Sequence, residues 1–355
     1  MGGLETYVRR LVPELLALRP DWRLSIFANP AGREQLSVEG WAEGVSFMTL
    51  GRRYTGALSE AFILDRLARR EGVDLLHSVA MTGPLRPGER HVVTIGDVIW
   101  LRNLHESERL TQLTWKLLVP RVAKRAARII TFSEASRRDL RELLGIEEAR
   151  VDVIPPGFGQ EPAATPIDAP ERFDLGGARV ILTLSAKRPH KNLTRMIEAL
   201  PRIRERVPEA VVVMPGNPTA HEDELKQLAA AQGVADAVRF PPYVSAEELE
   251  GLFAVAECFV FPSTLEGFGL PILEAMRRGV PVVCANASSL PEVAGDAARY
   301  FDPQDPGELA EAVVEVLTDP ERSHKLVDAG RARQELFTWR RCAELTLETY
   351  ERALR

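Results

Sequence analysis

Short runs of β-branched and apolar residues alternate with longer amphipathic segments along most of the chain. Buried parallel strands are continuously apolar, and helices that cover a sheet are amphipathic. The pattern is therefore typical of an α/β fold whose parallel sheets carry helices on both faces. The predicted strands are Leu24–Ala28, Leu75–Ser78, His91–Ile95, Arg128–Phe132, Val151–Ile154, Val180–Leu184, Ala210–Met214, Val238–Phe240, Cys258–Phe261 and Val280–Cys284.

A length of 355 residues exceeds what one hydrophobic core usually organises, so two doubly wound domains are expected. The segment Pro155–Gly177 is rich in proline and has no sustained apolar period, which is typical of a linker. We predict a first domain over 1–155, a linker over 156–177 and a second domain over 178–336. Residues 337–355 are predicted to form a long helix that packs back across the domains, and they are assigned to the first.

The chain starts with a Gly2-Gly3 turn that leads directly into a predicted helix, Glu5 to Leu18. In a doubly wound sheet such a turn follows the first strand, near the centre of the sheet. A sheet without that strand would leave unpaired backbone groups on both neighbours. We therefore expect a preceding strand that this sequence does not include. The alternative is a first sheet that lacks its central strand.

The composition excludes several classes of protein. A hydrophobic content of 45% and a charged content of 27% are ordinary for a soluble protein, and a net charge of −6 argues against nucleic acid as the main partner. Three scattered cysteines form neither a zinc site nor a disulfide framework. No apolar run approaches the roughly 20 residues that span a bilayer. The expected location is the cytoplasm, with peripheral association at the inner face of a membrane as the finer expectation.

Residues 266–274 read Glu-Gly-Phe-Gly-Leu-Pro-Ile-Leu-Glu and carry the strongest functional signal. They follow a predicted strand and lead into a predicted helix with proline near its first position. The N-terminus of a helix binds anions, whereas the flanking Glu266 and Glu274 would accept hydrogen bonds from hydroxyls. The motif therefore predicts a site for a sugar attached to a phosphate. The alternative is that Glu274 is an acid in the first helical turn, where the helix dipole alone favours it, and that Glu266 is an ordinary loop residue.

A basic turn, Ser185–Asn192, follows the predicted strand Val180–Leu184. Ligands of open α/β sheets bind at the carboxyl ends of the strands. Lys187, Arg188 and Lys191 would neutralise phosphate there, since arginine forks onto phosphate oxygens and lysine supplies a point charge. The alternative is a solvated basic turn.

Residues 113–129 are basic, amphipathic and contain Trp115. Such a segment either lies on an anionic membrane or forms a domain helix with one buried face and one solvated basic face. The domain helix is the favoured interpretation, and a lipid-linked acceptor would strengthen the membrane interpretation.

Taken together, these motifs resemble the retaining glycosyltransferases of family 4, which have the GT-B fold, and the resemblance covers essentially the whole chain. Glu266–Glu274 is similar to the Glu-x7-Glu motif of that family, with its Gly-Phe-Gly-Leu-Pro interior. The supporting matches are Gly2–Glu5, Thr131–Glu134 with Asp139-Leu140, Val153–Gly157, Lys191–Leu193, Ser289–Val293 and Phe337–Trp339. The resemblance implies two Rossmann-like parallel-sheet domains that face a cleft.

The resemblance also implies roles for individual residues. Glu266, Lys191 and Arg188 would be the catalytic set, with Glu266 on the transferred sugar and the two cations on the diphosphate. Glu274 would bind the ribose. The remaining donor-binding positions would be Gly267, Phe268, Gly269, Leu270, Ser289, Glu292 and Gly216. The acceptor side would include Gly2, Gly3, Asp97 and His77.

The chain departs from the family at Gly96-Asp97-Val98, where many members read His-Asp-Leu. That histidine helps position the reacting sugar, so either Asp97, His77 or His105 compensates or activity is reduced. A second departure concerns the basic turn. Many members have an arginine there, and the resemblance does not decide which cation of Ser185–Arg188 takes its place.

The expected activity is transfer of a hexose from GDP-mannose or a UDP-sugar to a glycan or a lipid-linked acceptor, with retention, in polysaccharide biosynthesis. No Asp-x-Asp occurs, so we expect no essential metal, and no cofactor besides the nucleotide-sugar substrate. One alternative is a catalytically weakened GT-B protein that binds nucleotide sugars as a scaffold. A nicotinamide-dependent oxidoreductase is disfavoured because no Gly-x-Gly-x-x-Gly joins a strand to a helix.

Overall fold

The computed structural model describes residues 3–40, 42, 45–49, 60–86, 90–102, 109–159 and 165–355. The chain folds into two compact units. The first unit contains the described residues up to Gly159 together with Phe337–Arg355. The second unit contains the described part of Gln160–Leu336.

Helices and parallel strands alternate in both units. Described helices are α1 (Gly3–Leu18), α2 (Pro30–Leu36), α3 (Leu64–Arg70), α4 (Ile99–Arg102), α5 (Arg109–Arg125), α6 (Glu134–Leu144), α7 (Ala169–Phe173), α8 (Leu193–Arg206), α9 (His221–Ala231), α10 (Ala246–Val255), α11 (Leu270–Arg277), α12 (Leu290–Ala294), α13 (Pro306–Thr318), α14 (Pro320–Gln334) and α15 (Trp339–Leu354). Described strands are β1 (Leu24–Ala28), β2 (Val45–Thr49), β3 (Leu76–Ser78), β4 (His91–Thr94), β5 (Arg128–Thr131), β6 (Val151–Val153), β7 (Arg179–Leu182), β8 (Ala210–Val213), β9 (Val238–Arg239), β10 (Ala256–Phe261), β11 (Val282–Ala285) and β12 (Ala298–Phe301).

The described strands of the first unit form two parallel sheets rather than the single sheet that was predicted. One sheet pairs β1 with β2, and the other has the order β3-β4-β5-β6. The sequence did not predict β2, because its exposed Ser46 interrupts the apolar run.

The second unit contains one continuous parallel sheet of order β12-β11-β10-β7-β8-β9. Its central strand β10 is buried over Cys258–Phe261, as the apolar run predicted. Strand β12 was not predicted, because Arg299 and Tyr300 break its hydrophobic pattern. All pairs are parallel, so β7, β10 and β11 end at the same edge of the sheet, and the loops that follow them are neighbours.

The C-terminal helix α15 packs within the first unit. It shares one hydrophobic cluster with α1 and the four-stranded sheet, in which Tyr7, Leu11, Ile130 and Tyr350 are buried. The segment before the helix is fixed by Phe158 N–H, which donates to the carbonyl oxygen of Phe337 at 2.8 Å.

Candidate functional site

The Glu-rich motif of the second unit joins β10 to α11 in the predicted order of strand, glycine turn and helix. Gly269 precedes the helix with φ of 117°, a conformation that L-residues with a side chain rarely adopt. Pro271 lies in the first turn, where its missing N–H removes no helical hydrogen bond. Ile272 N–H donates back to the carbonyl oxygen of Gly269 at 3.1 Å, and the positive end of the helix dipole at this end of α11 favours an anion.

Lys191 and Glu266 meet at the carboxyl edge of the sheet. The Lys191 ammonium lies 2.7 Å from Glu266 Oε1, and the two side chains are 17% and 12% exposed. The basic turn after β7 and the loop after β10 are therefore in contact, which the predicted site requires. The site thus places a cation, Lys191, directly beside a carboxylate, Glu266, that can accept hydrogen bonds from hydroxyls.

Backbone contacts hold these two loops together. Thr264 N–H donates to the carbonyl oxygen of His190 at 2.9 Å. Asn192 has a left-handed φ of 57°, and its side-chain amide donates to the carbonyl oxygens of Pro262 (3.1 Å) and Pro303 (2.9 Å). Asn192 thus fixes the position of Lys191 in the preceding turn. The sequence placed Asn192 in the basic turn and in a family match but gave it no role of its own, because its backbone acceptors lie far along the chain.

Lys187 does not face a ligand, contrary to the prediction of a basic turn with three phosphate-binding cations. Its side chain is fully buried. The ammonium donates to the carbonyl oxygens of Gly216 (2.7 Å) and Pro241 (3.3 Å) and lies 3.0 Å from Glu222 Oε2. Burial lowers the pKa of Lys187, and the Glu222 carboxylate opposes that shift. Lys187 is a structural residue, and Arg188, which is exposed, stays the second predicted phosphate ligand.

Gly216 packs against protein backbone. A Cβ at this position would lie 2.1 Å from the carbonyl oxygen of Ser185, and φ is 153°. The glycine is therefore required by the close approach of the two loops that follow β7 and β8. Its contact with a donor stays a prediction.

Ser288 and Ser289 brace the motif loop from the neighbouring β11–α12 loop. Ser288 Oγ donates to the carbonyl oxygen of Glu266 at 2.9 Å and accepts from Glu266 N–H at 3.2 Å. Ser289 is fully buried, and its hydroxyl lies 3.0 Å and 2.7 Å from the carbonyl oxygens of Glu266 and Phe268. These contacts favour a positioning role for Ser289 over the predicted contact with a donor. Ser288 was not predicted. It has a left-handed φ of 53°, and no sequence pattern indicates a serine in that conformation.

Glu274 is the fifth of the eight residues of α11, just beyond the first helical turn. Burial raises the pKa of its carboxyl group, while Arg278 lowers it and Glu250 raises it further. Its carboxylate makes no hydrogen bond or ion pair within the described residues. A partly desolvated carboxylate without a protein partner is suited to accept hydrogen bonds from ligand hydroxyls.

The other predicted donor residues lie on the same two loops. Gly267, Phe268 and Gly269 are buried in the turn before α11, and Leu270 is the first residue of the helix. Glu292 lies in the first turn of α12, next to the loop of Ser289. No contact with a ligand tests these positions, so they stay predictions.

Two of the predicted acceptor-side residues of the first unit are engaged within the fold. His77 contacts Tyr350 Oη through Nδ1 at 2.6 Å and Thr94 Oγ1 through Nε2 at 2.7 Å, so both ring nitrogens have partners. Asp97 Oδ1 accepts from Ile99 N–H at 3.1 Å. These contacts favour structural roles. Gly3 starts α1, whereas Gly2 and His105 lie outside the described residues.

Gly96 lies against the ring of Phe132. A Cβ at position 96 would be 2.5 Å from Phe132 Cε2 and 2.7 Å from Cδ2. The place that a histidine side chain would start from is therefore filled by an aromatic ring that also contacts Tyr7, with 5.5 Å between the ring centroids.

The basic segment 113–129 is not one helix, because α5 ends at Arg125 and Arg128 starts β5. Val119, Val122 and Ala123 are buried, whereas Leu113 and Leu117 are 54% and 47% exposed. The helix thus has the predicted buried face and a second face that mixes leucines with basic residues. None of the helices in the described ranges is long and apolar enough to cross a bilayer.

Comparison with known proteins gives matches over both units. The profile of "Glycosyltransferase Family 4" matches residues 1–159, and that of "Glycosyl transferases group 1" matches residues 169–333. The chain is 30% identical over 361 residues to the GDP-mannose-dependent alpha-(1-6)-phosphatidylinositol monomannoside mannosyltransferase of Mycolicibacterium smegmatis, covering 93% of this chain and 89% of that protein.

A second relative is O-antigen chain mannosyltransferase B of Escherichia coli, which is 33% identical over 236 residues. The match covers 63% of this chain, which spans only 60% of that relative's length. Among solved structures, Anabaena HepE in complex with UDP-glucose superposes with a TM-score of 0.74 at 20% identity, covering 99% of this chain and 96% of that one. This structural likeness shows the fold, which is GT-B.

Proposed function

The chain belongs to Glycosyltransferase Family 4, and from that membership we propose that it transfers a hexose from a nucleotide diphosphate sugar to an acceptor hydroxyl. We propose further that the configuration at the anomeric carbon is retained. The contact between Lys191 and Glu266, at the edge of the sheet where α11 starts, is the observation that carries the proposal.

The diphosphate binds between the N-terminus of α11 and the basic turn. Lys191 exchanges its ion pair with Glu266 for the phosphate oxygens, which leaves the Glu266 carboxylate to accept hydrogen bonds from the transferred sugar. Arg188 supplies the second cation. The positive end of the α11 helix dipole stabilises the negative charge that grows on the leaving diphosphate.

Glu274 accepts hydrogen bonds from the ribose hydroxyls. This role fits a desolvated carboxylate that has no hydrogen bond or ion pair within the described residues. Ser288 and Ser289 keep the backbone of the motif loop fixed while the donor binds, because they hold the carbonyl oxygens of Glu266 and Phe268.

Retention follows from a reaction on one face of the sugar. The bond between the anomeric carbon and the diphosphate oxygen breaks, and the acceptor oxygen bonds to the same carbon through an oxocarbenium-like state. The acceptor proton passes to the departing diphosphate. No protein carboxylate needs to act as nucleophile, in contrast to retaining glycosidases with paired carboxylates.

We propose that no divalent metal is essential, because Lys191, Arg188 and the helix dipole neutralise the diphosphate. GDP-mannose is the first donor to test, since the Mycolicibacterium relative is named as GDP-mannose-dependent, and UDP-sugars are the second. The proposed acceptor is a glycan or a lipid-linked sugar. For a lipid-linked acceptor, the exposed face of α5 with Leu113, Leu117 and Lys116 would contact the membrane.

The test is calorimetric binding of GDP-, UDP-, ADP- and dTDP-sugars in the presence of EDTA, followed by transfer assays with the donor that binds. We expect one donor to bind without metal and the product to keep the donor's anomeric configuration by NMR. Inversion at the anomeric carbon would refute the mechanism. Loss of binding in EDTA that returns with Mg²⁺ would refute metal independence.

A further inference from the structure

Arg278 lies one helical turn beyond Glu274, yet its guanidinium binds Glu250 on α10. Arg278 Nε donates to Glu250 Oε2 at 2.9 Å, and Nη2 contacts Oε1. The two side chains are 11% and 12% exposed. This is a two-point ion pair, in which the planar guanidinium matches the carboxylate.

The third nitrogen of the guanidinium is used as well. Because α11 ends at Arg277, Arg278 N–H turns to the carbonyl oxygens of Ala275 and Met276, and the carbonyl of Glu274 lacks a backbone partner from the next turn. Arg278 Nη1 donates to that carbonyl at 3.0 Å. The guanidinium carbon also lies 4.4 Å from the centre of the Phe253 ring. Arg278 is thus fixed from three directions.

The carboxylate of Glu274 is left without an ion pair. A glutamate four residues before an arginine is the favourable helical order for a salt bridge, so the missing pair needs a cause. Glu250 supplies it by occupying two nitrogens of Arg278. The charge of Glu250 also opposes the effect of Arg278 on the pKa of Glu274.

We propose that Glu250 is a positioning residue for donor binding, which holds Arg278 away from the Glu274 carboxylate and so leaves that carboxylate open to the hydroxyls of a nucleotide. The proposal rests on the role of Glu274 given above. Without Glu250, Arg278 keeps a buried charge that lacks a partner, and the nearest carboxylate on its own helix is Glu274. Arg278 would then compete with the ligand.

The test compares a ribonucleoside diphosphate, of the base that the wild-type protein prefers, with its 2′,3′-dideoxy counterpart by calorimetry. The wild-type protein should bind the ribose form more tightly. In Glu250→Gln the affinity for the ribose form should fall about tenfold, with little change for the dideoxy form. The double variant Glu250→Gln/Arg278→Met should regain the preference, because the competing cation is gone.

Two further variants separate positioning from stability. Glu250→Asp keeps a carboxylate for Arg278 and should keep the preference even where its melting temperature falls. Glu257→Gln removes one partner of the ion pair with Arg179 at the opposite end of β10, and serves as the matched control with unchanged preference. A Glu250→Gln variant with wild-type preference, or a double variant as weak as the single one, would overturn the proposal. A wild-type protein without any preference would overturn the role of Glu274, and the proposal with it.

Discussion

The two units have the same kind of parallel sheet but differ in how their predicted site residues are used. In the second unit, one continuous sheet brings the loops after β7 and β10 together, and Lys191 meets Glu266 at 2.7 Å. In the first unit the described strands form two sheets, and His77 and Asp97 make hydrogen bonds within the fold. The comparison teaches that the second unit holds its predicted site residues in preformed contacts with one another. The first unit has no such cluster of opposite charges among its described residues.

The same contrast occurs within a single turn, between Lys187 and Lys191. The first is fully buried on protein oxygens, and the second faces Glu266 at the edge of the sheet. We expect Lys191→Met to lower kcat/KM for the donor by about 100-fold, since a charge-assisted contact to the leaving group is lost, with a small change in stability. Lys187→Met should instead destabilise the second unit by about 3–5 kcal/mol, because a buried pair loses one partner.

Donor kinetics and urea unfolding followed by far-ultraviolet circular dichroism would measure the two effects. Lys226→Met is the matched control, because Lys226 also pairs with Glu222 but is 52% exposed. It should change both quantities little. If Lys187→Met kept its stability and lost donor binding, the assignment of the two lysines would be reversed.

A smaller effect tests the first unit at Gly96. A Cβ at this position would lie 2.5 Å from the Phe132 ring, so Gly96→Ala should destabilise the first unit by about 1–3 kcal/mol through overpacking. Gly96→Ala/Phe132→Leu should recover part of that loss. All five tryptophans of the sequence lie before Gly159 or after Phe337, so tryptophan fluorescence during urea unfolding follows this unit.

Gly96→His extends the test to function. If the space beside Gly96 were open, the histidine found in many family members would fit there. Gly96→His would then fold with wild-type stability and raise the transfer rate. We expect instead a loss of stability at least as large as that of Gly96→Ala, because the larger side chain meets the same ring.

The sequence predicted the strands whose apolar runs are continuous, and β1 has the predicted bounds of Leu24–Ala28. It missed β2 and β12, where polar or charged residues interrupt the run. Of the site, it predicted the loop of Glu266 and the turn of Lys191, because both follow apolar strands and contain residue types with clear chemistry. The charge pattern of the basic turn could not separate Lys187 from Lys191, which only the family resemblance did, since burial depends on packing against Glu222 and Pro241. It also missed Ser288 and the pair of Glu250 with Arg278, which join positions far apart in the chain.

The smallest predicted effect concerns pH and again distinguishes the two units. Burial, and then the charge of His91, lowers the pKa of His77 to about 3. Burial lowers the pKa of His91 to about 4, with Asp65 opposing the shift. Both histidines are therefore neutral in the folded first unit, whereas the unfolded chain binds protons below its ordinary pKa of about 6.5. Their stabilisation is present above that pH and is lost progressively as the pH falls, down to about 4 for His91 and about 3 for His77.

Between pH 7 and pH 5.5 each histidine should reduce the free energy of unfolding by about 1 kcal/mol, in proportion to the extra proton that the unfolded state binds. Tryptophan fluorescence in urea at the two pH values measures the loss in the first unit. His77→Gln removes one titrating group and should remove about half of the pH dependence, while His324→Gln, a variant in α14 of the second unit, should leave it unchanged. Equal pH dependence in the wild type and His77→Gln would mean that His77 takes up its proton in the folded state. In that case the ring of His77 would be accessible enough to bind an acceptor substrate. The conclusion that His77 is a structural residue of the first unit would then be wrong.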